Sequence, residues 1–198
     1  MINSAQLSIK IFYKPISINI FKFNNILYEK FNDYLSKYQP KIIQNSDILC
    51  VWDTPTLRIS YSSAYIELTL LNNIDKQVFK NIVSTTIDSL SNINIAPIRI
   101  GIVSIFYIDD KQISYFLDKV DNEIKSAPEY NISWLKQIKK NNVFYNVWTV
   151  VQQINEGKRV IYDANSKAGQ DLLDFESTSL MCFELIYSEV KKWDNQQQ

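Results

Sequence analysis

Histidine is absent from this chain, and glycine occurs at only 3 of its 198 positions, Gly101, Gly157 and Gly169. The first absence removes Ser–His–Asp and Cys–His nucleophile pairs, imidazole acid–base work, H-E-x-x-H zinc sites and the His-dependent deaminase motif. The second leaves no G-x-x-x-x-G-K-[ST] and no G-x-G-x-x-G, so the common phosphate-cradling loops are missing too. Any catalyst built from this chain would have to use carboxylates, Lys, Arg, Tyr, Ser or Cys without those loops.

Cysteine is nearly as scarce. Cys50 and Cys182 stand far apart with no C-x-x-C and no flanking imidazole, which supports neither a disulfide framework nor a zinc site, and both read as small core residues. No cofactor is expected. Excess charge is lacking as well: Lys+Arg 21 balance Asp+Glu 21, so no global field draws the protein to nucleic acid or to an anionic membrane, although a local basic patch remains open. The N-terminal stretch M1-I-N-S-A-Q-L-S-I-K10 has neither the basic start nor the apolar run of a signal peptide. No segment approaches the roughly 20 apolar residues that span a bilayer, and a cytoplasmic protein with no membrane partner is expected.

What is abundant is apolar and aromatic. Hydrophobic residues make up 46% of the chain against 21% charged, with Tyr 12 and Phe 10, the composition of a folded domain with a sizeable core. Leu7, Ile9 and Ile11 alternate, as do Ile16, Ile18 and Ile20 after Lys14-Pro15, the period-two pattern of half-buried strand. From Asn24, with Asn24 or Asn25 as cap, Leu27, Phe31, Tyr34, Leu35 and Tyr38 recur at helical spacing up to Pro40. Strands follow at I48-L-C-V-W52, L57-R-I-S-Y61 and Y65-I-E-L-T-L-L71, the last two as a hairpin. Asp75 caps a helix with Val78, Phe79, Ile82, Val83, Thr86, Ile87 and Leu90 on one face.

The run I98-R-I-G-I-V-S-I-F-Y-I-D-D110 reads as a central strand, with Gly101 marking a bulge or close approach. A helical stripe at Ile113, Phe116, Leu117, Val120 and Ile124 ends at Pro128, and a short helix is expected around S133-W-L-K-Q-I-K139. A second hairpin pairs V143-F-Y-N-V-W-T-V-V-Q-Q-I154 with R159-V-I-Y-D163, and a last helix runs from about Asp171 to Trp193 ahead of a frayed N195-Q-Q-Q198. The order predicts one α+β domain over residues 1–198, with a mainly antiparallel sheet, helices on one face, and a ferredoxin-like βαββαβ core as the specific expectation. Residues 129–198 are a candidate C-terminal lobe.

The Tyr-x-Pro at Y38-Q-P40, the R99-I-G101 strand and the Phe-containing final helix from Phe175 to Phe183 resemble a family of uncharacterised bacterial α+β proteins. The lone His common in that family's last helix is missing here. The resemblance implies a fold type and a bacterial or phage origin, and no activity.

Three constellations carry candidate chemistry. Asp53, Asp109, Asp110 and Asp163 sit at predicted strand ends, where carboxylates can hold Mg²⁺ or Mn²⁺ for phosphoryl transfer; helix capping is the better-supported reading of Asp109 or Asp110. Lys136, Lys139, Lys140, Lys158 and Arg159 flank a strand bearing Phe144, Tyr145 and Trp148, the combination that holds single-stranded nucleic acid, with a solvated face plus core rings as the structural alternative. Tyr61 and Tyr65, beside a hairpin link, suit a protein interface or a half-buried sheet. Glu176 falls on the last helix's apolar stripe, as a buried acid or at a frayed start. The missing catalytic machinery favours a non-enzymatic accessory factor of inhibitor, immunity or adaptor type with a protein partner. Nucleic-acid binding comes next, and a carboxylate metal-dependent nuclease using Asp109 and Asp110 last.

Overall fold

Alternation makes the strands and sorts their side chains onto two faces. The computed structural model describes residues 6–44, 46–71, 75–118, 129–154, 157–167 and 174–194. In β1 (Gln6–Tyr13), Leu7, Ile9, Ile11 and Tyr13 are buried on one face while Gln6, Ser8, Lys10 and Phe12 point to the other. The alternation stops at Tyr13. Residues 14–19 form no strand; Asn19, rather than Asn24 or Asn25, caps α1 (Ile20–Lys30) by accepting from Lys22 N–H at 3.0 Å, and Ile18 and Ile20 pack as anchors on the core. A four-residue α2 (Asn32–Leu35) follows, then a two-residue β2 (Lys41–Ile42), β3 (Ile48–Asp53), β4 (Leu57–Ser62) and β5 (Tyr65–Leu70).

Asp75 caps α3 (Lys76–Ser91) through a 2.7 Å bond from Val78 N–H, and β6 (Pro97–Tyr107) leads into α4 (Asp110–Leu117). Then come β7 (Tyr130–Lys140), β8 (Val143–Ile154), β9 (Gly157–Ser166) and α5 (Phe175–Asp194). The expected helix around Ser133–Lys139 is therefore corrected to strand: Tyr130, Ile132, Trp134 and Ile138 turn inward at every second residue and pair with β8 throughout. Gly101 marks no bulge; it sits in regular register with Lys10 and Asn165. The parts of the expected elements at 119–128, 155–156, 171–173 and 195–198, and Gly169, lie outside the described residues.

The nine strands of the described residues form one sheet in the order β2-β3-β4-β5-β1-β6-β9-β8-β7, every pair antiparallel. β7–β9 extend this sheet rather than forming another. The chain runs twice through the same plan of strand, helix, antiparallel meander and helix, and β1 and β6, which open the two passes, lie side by side at the centre with Ile9 opposite Ile102. That arrangement is a pseudo-twofold.

The core lies between the sheet and the helices. Following the register, Trp52, Ile59, Leu68, Ile9, Ile102, Ala164 and Val147 occupy one continuous row on the buried face. Against that face α1 sends Phe23 edge-on to Tyr61, α3 and α5 stack Phe79 on Phe183, and α4 sets Phe116 near Trp134. Side chains of this size each contribute roughly 1.5–3 kcal/mol when fully buried, so this face supplies most of the folding free energy.

Candidate binding face of the sheet

The other face of the sheet is packed by no element among the described residues, and its side chains follow from parity. One row runs Asp53, Arg58, Thr69, Ser8, Val103, Asp163, Trp148, Leu135 across eight strands. Near one end of the strands lies a second, chemically distinct row. Lys139 stands opposite Phe144; the Lys167 N–H donates to the Phe144 carbonyl; Arg99 reaches the end of β9; Phe12 lies opposite both Arg99 and Tyr65. The band from β7 to β5 thus reads cation, ring, two cations, two rings, over five strand spacings or about 24 Å.

The contacts along this band are those of cations on π-faces. Lys139 Nζ is 5.3 Å and Lys167 Nζ 5.9 Å from the Phe144 ring centre, the Arg99 guanidinium is 5.4 Å from Phe12, and Lys10 Nζ is 3.7 Å from Tyr65. Arg99 is further fixed by donating to Asn165 Oδ1 at 2.9 Å and to the Ser166 carbonyl at 3.2 Å. Phe144 (42% exposed) and Trp148 (39%) present ring surface to solvent on this face, and Tyr107 (59%) does so toward the other end of β6.

Among the described residues, five of the six ion pairs lie on the helix side. The helix side carries Lys76–Glu184, Lys80–Glu176, Lys136–Glu189, Lys192–Glu189 and Lys158–Asp110, whereas the open face carries Lys10–Glu67. Among the described residues no carboxylate lies within 4.0 Å of Arg58, Arg99, Lys139 or Arg159. The acids of the open face are Asp53, Glu67 and Asp163. No protein-family model matches the chain, and no curated protein matches it.

The sequence candidates divide between the two sides. Trp148, Lys139, Arg159 and Tyr65 belong to the open face. Lys136 and Lys158 are engaged by helix carboxylates, and Lys140 shares the inward parity of Ile138. Tyr145 is buried, with its hydroxyl pushed to a higher pKa by burial; Tyr61 is fully buried and its hydroxyl donates to Asn24 Oδ1 at 3.1 Å, so neither reaches a surface. The basic cluster around the second hairpin is two clusters, because alternate residues of β7 and β9 face opposite ways. Arg99, Phe12 and Lys10, which complete the band, are far from that hairpin in sequence; their even and odd parity against the buried Ile9, Ile11, Ile100 and Ile102 was the available signal.

The four aspartates do not converge. Asp53 and Asp163 share a row but have β4, β5, β1 and β6 between them. Asp163 lies inside β9, not at a strand end. Asp109 caps α4 in a reciprocal capping box, accepting from Gln112 N–H at 2.7 Å while the Gln112 side chain accepts from Asp109 N–H at 3.0 Å, and Asp110 is held by Lys158. Among the described residues no three His, Cys, Asp or Glu side chains group to hold a metal ion. Glu176 is half-exposed and pairs with Lys80 at 3.7 Å, which removes the buried-acid reading. No described helix is long and apolar enough to cross a membrane.

Among the concave regions of the described helix side are two with aromatic walls. A cleft of about 370 Å³ between α4, β7 and α5 is walled by Phe116, Ile132, Trp134 and Tyr162, with the Lys136–Glu189 pair at its polar edge. A shallower one near β2 is lined by Phe21, Tyr28, Pro40, Ile42 and Trp52; Phe21 is 75% exposed there.

Proposed function

We propose that the protein is a non-catalytic binding factor of accessory type, bacterial or phage in origin, whose working surface is the open face of its sheet. The observation that carries this reading is one-sided packing: helices cover one face, while the other keeps Phe144, Trp148, Tyr107 and Leu135 exposed on rigid strands. Aromatic anchors on a pre-organised surface give contact area at low entropy cost. The dispersed aspartates and the absence of His leave the same surface without evident acid–base or nucleophilic machinery.

The finer fold reading is a ferredoxin-like core made of β1, α1, β4, β5, α3 and β6. It is supported by the neighbour order β4-β5-β1-β6, with α1 and α3 as the two helical connections, β2 and β3 being an edge addition and β7–β9 an extension. This is an argument about architecture and carries no activity. Kinship with the uncharacterised bacterial proteins belongs to the same proposal, resting on Y38-Q-P40, R99-I-G101 and the Phe175–Phe183 segment.

A second reading is favoured by Phe21. Its exposure beside Tyr28 and Ile42 suits a protein partner docking at the β2 edge instead. Native mass spectrometry of gently purified protein separates the two. Under the open-face reading, bound macromolecule seen with wild type disappears for Leu135→Glu/Trp148→Glu and persists for Phe21→Glu. The reverse pattern would overturn it in favour of the edge.

A further inference from the structure

We infer that the transverse band of Lys139, Phe144, Lys167, Arg99, Phe12 and Tyr65 is a binding site for single-stranded nucleic acid; the inference rests on the open-face reading and names its partner. A strand of nucleic acid carries negative phosphates beside flat bases, and the band sets the cations Lys139, Lys167 and Arg99 around the exposed ring of Phe144. Phosphates meet Lys139, Lys167 and Arg99. Bases stack on Phe144 and, one step along β8, on Trp148, which is four residues away on the same face or roughly 14 Å at about 3.4 Å per residue. Phe12 and Tyr65 act differently: their rings hold the Arg99 and Lys10 head groups in place.

Two features select this ligand over other anions. Stacking requires base faces that are not already paired, so a duplex would meet the cations and leave the rings unused. The lack of internal ion pairs matters as well: Arg99 and Lys139 have no carboxylate within 4.0 Å among the described residues, so a phosphate there need not displace one. Nothing along the band reads base edges in an evident pattern, so affinity without sharp sequence preference is expected, for DNA and RNA alike.

The test is fluorescence anisotropy with labelled poly-dT and poly-rU oligonucleotides of about 15 nucleotides, a span within the range that one folded binding module covers. A duplex of the same length serves as comparison, and salt is varied between about 50 and 200 mM. Both single strands should bind more tightly than the duplex, and binding should weaken with salt. Arg99→Ala and Lys139→Ala should each lower the log–log salt slope by about 0.7. Phe144→Ala and Trp148→Ala should each weaken binding by about 5- to 140-fold with the slope unchanged. All four are partly exposed, and unaltered melting of each variant keeps the comparison valid.

The inference is overturned if neither single strand binds at low salt, if the duplex binds as tightly as they do, or if binding survives loss of Arg99 and Lys139 with its slope intact. A protein that co-purifies, is lost with Leu135→Glu/Trp148→Glu, and is accompanied by no oligonucleotide binding would overturn the nucleic-acid inference while leaving the open face as the working surface. Oligonucleotide binding abolished by Phe21→Glu alone would overturn both.

Discussion

Phe79 of α3 stacks on Phe183 of α5, with ring centroids 4.4 Å apart and planes 27° from parallel, and Phe183 stacks in turn on Tyr187. On either side, Lys76 meets Glu184 and Lys80 meets Glu176, so the two helices cross antiparallel as the long helices of the two passes through the plan. The exposed ion pairs contribute little, and the rings carry the joint. Phe183→Ala is expected to cost about 3–5 kcal/mol in urea unfolding. A double-mutant cycle with Phe79→Ala should show about 0.5–1.5 kcal/mol of coupling, and independent effects would mean that the rings only fill space.

The N-terminal half is organised around one amide. Asn24 Oδ1 accepts from Trp52 Nε1 at 3.0 Å, from the Tyr61 hydroxyl at 3.1 Å and from the Cys50 thiol at 3.4 Å. Burial pushes the Tyr61 and Cys50 pKa values up, so both stay protonated as donors. Asn24→Leu keeps the volume and strands all three donors. A loss of about 1–3 kcal/mol for each of the two stronger ones is expected, read as a fall in urea midpoint with a shift in Trp fluorescence. A neutral substitution would show that the donors find other partners.

Capping and metal binding make opposite predictions at Asp109. Asn is as good an N-cap as Asp, so Asp109→Asn should leave thermal stability nearly unchanged while Asp109→Ala loses about 1 kcal/mol. Mg²⁺ or Mn²⁺ should not raise the melting temperature of any of the three proteins. A metal-dependent rise in wild type that Asp109→Asn removes would restore the metal reading.

Acid sensitivity should centre on Glu189. Burial raises its pKa, but hydrogen bonds from Lys192 at 2.6 Å and Lys136 at 3.0 Å outweigh that and hold the carboxyl below its ordinary range. A carboxylate whose pKa is lower folded than unfolded adds stability that is present above the unfolded value and lost as pH falls through the folded one. Wild type should therefore weaken below about pH 4.3, where glutamate ordinarily titrates, and Glu189→Gln should flatten that limb. Parallel acid limbs for the two proteins would refute the assignment.

Most strands were legible because one face of each is apolar at every second position. β7 was not. Trp134, Leu135 and Ile138 also satisfy helical spacing, and the surrounding Lys and Gln favour helix, but Tyr130, Ile132, Trp134 and Ile138 pack inward and the long pairing with β8 decides the outcome. That single change explains why the basic cluster dissolved: on a helix Lys136, Lys139 and Lys140 could share a face, and on a strand they cannot. The band joining Lys139 to Tyr65 depends on sheet order, which no local pattern encodes. Its members come from β7, β8, the end of β9, β6, β1 and β5, neighbours only after the two passes meet at β1 and β6.

The one-sided core implies a sharp asymmetry between adjacent residues of β8. Val147 is buried against the helices and Trp148 lies on the open face. Val147→Glu places an unpaired carboxylate in the core and should cost on the order of 3–5 kcal/mol, enough to unfold a marginal domain. Trp148→Glu removes an exposed ring from a strand already secured by its other face, and about 1 kcal/mol or less is expected. Circular dichroism and urea midpoints on the pair check this. If Trp148→Glu proved as damaging as Val147→Glu, the open face would belong to the folding core and its rings would not be available to a partner. If it is mild, folding does not require the ring, and Trp148 stays available on the same face as Lys139 and Arg99 for the proposed contact.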